Sequence, residues 1–198
     1  AFDLEQGKVT KFTGSVEGGS TGGGDGDELN TPDGHMETPY YGANTSLLKT
    51  IFHYAKLNGR EVRNYALNFD LDNKIANWVA YPLTKEYTAK NTDRSNAFNA
   101  DPSLPAKSQM SSALSPYGRG HQIASADRLG SSALNVQTVY YSNMTYQIQN
   151  EFNGSIWASL EDKVRGYISS YDTVYVVTGA VLKTVGGVES VKYVTDKN

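Results

Sequence analysis

The sequence predicts an α+β domain, and three observations carry that expectation. β-branched and aromatic runs cluster at 49–54, 63–69 and 76–81 and recur at 136–141 and 173–178. One amphipathic helical pattern arrives late, over about 152–169. Strands grouped around a single late helix do not alternate in the way a parallel βαβ sheet requires. Hydrophobic residues make up 38% of the 198, enough for one core, and no apolar stretch approaches the length of a membrane span.

In chain order, residues 1–30 read as an N-terminal tail and Gly-rich linker, and residues 31–198 as the folded domain. The run 18–27 is Gly-, Ser- and Asp-rich. It lacks a Gly-Lys-Ser/Thr ending and a preceding strand, which favours a flexible linker over a phosphate cradle. Leu57-Asn58-Gly59 marks a turn between the first two strands. His121 falls in a loop, Asn143 in a turn after the strand at 136–141, and the last residues, 191–198, read as a strand entering a turn. The opening Ala1-Phe2-Asp3-Leu4 lacks Met and a basic leader, so a processed or trimmed terminus is expected.

The late helix can be drawn from its spacing. Asn153, Trp157, Glu161 and Arg165 recur every four residues and form one oblique stripe. Beside it Ile156, Leu160, Val164 and Ile168 repeat at the same interval and define the expected buried face. Spacing alone leaves two readings open, a functional polar edge or a merely solvated one. Upstream lies Tyr117-Gly118-Arg119-Gly120-His121-Gln122, which sets an imidazole, with an ordinary pKa of ~6.5, beside a guanidinium. His53 sits in a strand as a partly buried polar residue, and His35 sits in turn chemistry; neither is assigned to catalysis. With no cysteine there are no disulfides, and with no His-x-x-x-His pair a zinc site is disfavoured.

In this order the pieces resemble the DNA/RNA non-specific endonucleases, the Serratia-type nucleases of the ββα-metal (His-Me finger) class. Their Asp-Arg-Gly-His signature resembles Gly118-Arg119-Gly120-His121, and their Ser-Asn element resembles Ser142-Asn143. Their Asn-x-Gly-x-Trp helix is similar to Asn153-Gly154-Ser155-Ile156-Trp157, followed by Leu160-Glu161, with the glycine shifted by one. Asn77-Trp78-Val79-Ala80-Tyr81 and Arg94 before Asp101-Pro102 also look like family elements. The likeness runs from about Ile51 to the C-terminus. One departure falls in the signature: Gly118 stands where the family carries aspartate.

The resemblance implies an antiparallel β-sheet core with flanking helices and a Mg²⁺-dependent, sugar-non-specific endonuclease leaving 5′-phosphorylated DNA and RNA. It implies His121 as general base and Asn153 as the metal ligand for Mg²⁺, with Mn²⁺ or Ca²⁺ as alternates. Glu161 would hold metal-bound water, Arg94, Arg119 and Arg165 would contact phosphates, and Asn143 would support the site. Family members continue through further strands, so a C-terminally truncated domain is expected, completed by a separate C-terminal fragment or partnered as a homodimer.

A net charge of −3 argues against a dedicated nucleic-acid binder, but a local groove of Arg94, Lys107, Arg119 and Arg128 would serve an enzyme that turns over. The family's habit of export and the Tyr, Asn, Ser and Gly content point to an extracytoplasmic location. The alternative function is a non-catalytic, nuclease-like nucleic-acid-binding surface module, in which Gly118→Asp would awaken activity. A structural β-rich protein is a third.

Overall fold

A computed structural model describes residues 38–39, 44–110 and 115–180. The tail and linker at 1–30, His35 and the strand expected at 191–198 lie outside the described residues. The main sheet is built from β1 (Leu48–Leu57), β2 (Arg60–Asp70), β3 (Ile75–Leu83) and β6 (Val174–Gly179), in the order β1-β2-β3-β6 and antiparallel throughout. Asn58 and Gly59 join β1 to β2 with φ of 51° and 78°. Two successive left-handed residues suit Asn-Gly and match the twist of the hairpin they close.

Tyr65, Leu67 and Phe69 of β2 meet Val79, Tyr81 and Leu83 of β3 in the main core, with Ile123 and Leu104 against them. Every residue of β2 from Arg63 to Phe69 is buried, because the opposite face is covered too. There α2 (Ser132–Thr138) inserts Leu134 beside Leu57 and Tyr87, a residue of the short helix α1 (Lys85–Thr88). Arg128, expected in a cationic groove, is instead wholly buried in this layer. Its guanidinium donates to Asn64 Oδ1 (2.6 Å) and to the carbonyls of Asn64 (2.7 Å), Pro82 (2.9 Å) and Asp127 (2.8 Å), and lies 4.3 Å from the Tyr87 ring centroid. A buried cation persists only with such saturation, which makes Arg128 a brace of the fold. Lys107, also expected in the groove, is exposed on a short 3₁₀ turn and does not line the cleft.

Two further expectations are corrected. Residues 136–141 were expected as a strand, but most of them belong to α2 and its C-terminal turn, and only Tyr140 makes a bridge, to Asn99. The strand preference of Val136, Thr138 and Val139 yields because the helix is capped by Ser131 Oγ and anchored by the buried Leu134 and Asn135. His121 is not in a loop: it ends β4 (Tyr117–His121), which pairs with β5 (Met144–Ile148) in a second antiparallel sheet.

After β5 come π-helical turns over Gln149–Trp157, then α3 (Ala158–Gly166) and a 3₁₀ turn, Tyr167–Ser169. The helix expected at 152–169 is therefore present, but its apolar face is only half used. Val164 and Ile168 pack on the core, whereas Ile156 and Leu160 are 66% and 47% exposed. The strand–strand–helix unit brings His121, on the first strand, to the residues of the helix.

Candidate active site

A cleft of about 540 Å³ opens where β4 meets the π turns and α3, and Arg94, Arg119, His121, Asn153 and Glu161 all line it. Residues separated by as many as 67 positions in the chain thus converge on one space.

His121 is 6% exposed, and its Nε2 is buried without a hydrogen-bond partner among the described residues. Its backbone is held by the ladder to Met144, and its carbonyl accepts from Trp157 Nε1 at 3.0 Å, which ties the strand to the helix. Burial pushes the imidazole down to about 3, and the charges of Arg94 and Arg119 add to the effect. The ring is therefore neutral at pH 7 and has a free lone pair or a free N–H at Nε2.

Asn143, expected as a support, is fully buried. Its Oδ1 accepts from Ile123 N at 2.9 Å, and its Nδ2 donates to the carbonyls of Ile123 (3.0 Å) and Thr138 (2.8 Å). It fastens the segment just after His121 to the end of α2.

Arg119 lies with its guanidinium carbon 3.7 Å from the centroid of the Phe98 ring, whose edge also meets His121 at 6.0 Å between centroids. Such stacking holds the cation in place without taking up its charge. Arg94 is exposed at the mouth. Arg165 does not line the cleft. It pairs with Asp127 Oδ1 at 2.9 Å and Asp162 Oδ1 at 2.7 Å.

Asp127 is the residue that sequence reasoning missed, since a lone Asp between Ala126 and Arg128 carries no signal in one chain. It is 2% exposed and also accepts from Tyr81 OH at 3.0 Å. Burial pushes Glu161 up to about 7, and the charge of Asp127 pushes the same way against Arg165 and Arg94. Phe98 and Gln149 were likewise not foreseen.

The donor set can be tested for a cation. Asn153 Nδ2 donates to Gln149 Oε1 at 2.9 Å, and among the described residues no donor is recorded to its Oδ1. Glu161 adds a carboxylate to the same cleft, and among the described residues no group of three His, Asp or Glu could hold a metal. One amide oxygen, one carboxylate and room for water fit a hard divalent cation that keeps most of its hydration.

Known proteins resemble this chain in sequence and in fold. Residues 47–186 match the family model described as DNA/RNA non-specific endonuclease. The nuclease of Serratia marcescens is 38% identical over 127 residues, covering 58% of this chain and 45% of that protein. The mitochondrial nuclease of Saccharomyces cerevisiae is 38% identical over 107 residues, 52% of this chain and 32% of that protein. A crystal structure of an EndoG/EndoGI complex superposes with a TM-score of 0.56 at 32% identity, over 65% of this chain and 53% of that one. The chain spans about half the length of the curated relatives it matches.

Proposed function

Because the chain belongs to the DNA/RNA non-specific endonuclease family, we propose that it hydrolyses phosphodiester bonds of DNA and RNA with His121 as general base. The observation that carries this reading is a buried, neutral imidazole with an unpartnered Nε2 in a cleft that also holds Arg94, Arg119, Asn153 and Glu161.

His121 accepts a proton from water as the water oxygen attacks phosphorus; the bond from phosphorus to the 3′ oxygen breaks, and that oxygen takes a proton from solvent. The phosphate stays on the 5′ side. Arg94 and Arg119 hold the non-bridging oxygens. Their positive charges depress the base, and a bound phosphate offsets them, so substrate itself makes His121 a better proton acceptor. Asn153 Oδ1 would hold Mg²⁺, or Mn²⁺ or Ca²⁺ in its place, with Glu161 reaching it through water, and the ion would supply electrophilic stabilisation of the phosphoryl and leaving oxygens. Arg165 acts from behind, by fixing Asp127 next to Glu161.

Tolerance of base sequence and of sugar is part of the proposal. An extracytoplasmic site of action is part of the proposal, although relatives include a mitochondrial nuclease. No described helix is long and apolar enough to cross a membrane.

Digestion of plasmid DNA and of RNA with Mg²⁺, against an EDTA control, tests the assignment. His121→Ala should lower kcat by about 10²–10⁴-fold. Equal cleavage by that variant would sink it. Gly118, which brings no carboxylate to the signature, favours a second reading in which the cleft binds nucleic acid without cutting; retention on DNA with no products would select it.

A further inference from the structure

Gly118 and Gly120 are two apart on β4, so any side chains there would project to the same face of the strand. At each, the space where a side chain would begin is already taken by a glutamine. A Cβ on Gly120 would collide with the Gln147 side chain, and a Cβ on Gly118 would collide with Gln149 Oε1 and come within 3.3 Å of Asn153 Nδ2. The same Gln149 Oε1 accepts the Asn153 Nδ2 hydrogen bond at 2.9 Å. Both residues lie in the π turns and line the cleft beside His121. An amide that donates from Nδ2 to such an acceptor carries its oxygen on the other side.

We propose that Gln149 is the positioning residue for Asn153, its Oε1 standing in the side-chain space that Gly118 leaves open and holding the Asn153 carboxamide so that Oδ1 stays available to a divalent cation. The signature glycine and the glutamine are then one device. Glycine at 118 admits the glutamine, and the glutamine does from the helix what a side chain on the strand would otherwise do. A Gly118→Asp change by itself therefore damages the site it was expected to restore. The inference rests on the nuclease reading of the cleft, and it concerns how the ligand is held rather than whether cleavage follows.

The test uses the full chain and Mn²⁺ alone, without nucleic acid, with free ion followed by electron paramagnetic resonance. Gln149→Ala should raise the Kd for Mn²⁺ by about 10-fold, the lower end of what loss of an outer-shell partner costs. Its Tm should hold, because Gln149 is exposed and only the Asn153 bond is lost. Gln149→Glu keeps the acceptor and should keep the affinity. Gly118→Asp should weaken binding in the native background, yet in the Gln149→Ala background the aspartate has room and should restore most of the loss.

An unchanged Kd in Gln149→Ala overturns the inference, as does a Gly118→Asp effect that is the same in both backgrounds. Cleavage of plasmid by the wild type and the same four variants separates the two claims. A wild type that cuts nothing while Gln149→Ala still loses Mn²⁺ overturns the nuclease reading and leaves this one standing; a wild type that cuts while Gln149→Ala matches it in both assays does the reverse.

Discussion

At the scale of single residues, the cleft divides its titrating groups by environment. His121 stays neutral above about 3, so it sets no limb in the pH profile near neutrality. Glu161 does, because burial and Asp127 bring it up to about 7. Its useful form is the carboxylate, which is gained as pH rises, so kcat/KM should climb through about pH 7 and flatten above it. Glu161→Gln should abolish that limb along with most of the rate, and raising Mg²⁺ should move the limb of the native protein to lower pH. A limb that persists in Glu161→Gln would assign it to another group. That His121, Asn153 and Glu161 are candidates for one site could be read from the chain, from the motif and the four-residue spacing, and the fold brings the three to one cleft. The protonation of His121 and Glu161 could not, since it is set first by burial in the fold and then by the charges of Arg94, Arg119 and Asp127.

At the scale of elements, the segment before the signature is welded in place by Asp101. Its Oδ2 accepts from Ser142 Oγ at 2.6 Å and meets His53 Nε2 at 2.9 Å, and its Oδ1 accepts from Ser103 N at 2.9 Å. Burial alone would push this carboxyl up, but the His53 and Ser142 bonds outweigh it and hold it below the usual range. A depressed carboxylate adds stability above its unfolded pKa of ~3.9 that is lost as pH falls through the folded value. Asp101→Asn should therefore cost about 1–3 kcal/mol at pH 7 and much less at pH 3, as thermal unfolding at the two pH values would show. Equal losses at both would mean the charge plays no part. The three strands at 49–81 were legible because β-branched and aromatic runs and an Asn-Gly turn coincide there. Residues 136–141 misled because Val136, Val139 and Tyr140 favour a strand, while buried contacts of Leu134 and Asn135 that no local window contains decide for the helix.

At the scale of the whole molecule, an acidic protein has been given a small cationic mouth. The net charge is −3, and of the four cations expected to form a groove only Arg94 and Arg119 line the cleft. Arg128 is spent on the fold and Lys107 lies elsewhere on the surface. Two phosphate contacts predict a shallow salt dependence, with log K against log salt falling at a slope of about −1.8 on duplex DNA. Arg94→Ala should reduce that slope by about 1, measured by binding at several salt concentrations in the presence of Ca²⁺. A slope near that expected for four cations would restore Arg128 and Lys107 to the interface. Composition could not have made this distinction, since an arginine braced between Asn64 and Pro82 and one open to solvent are the same letter.

The bond from Trp157 to the His121 carbonyl has a use in optical measurement. The protein has two tryptophans; Trp78 is 4% exposed within the main sheet, and Trp157 stacks on Phe152 in the π turns. A Trp78→Phe protein would emit from one indole alone, whose N–H donates to the His121 carbonyl. The colour of its fluorescence would follow the arrival of an ion or a nucleotide in real time, before any bond is cut.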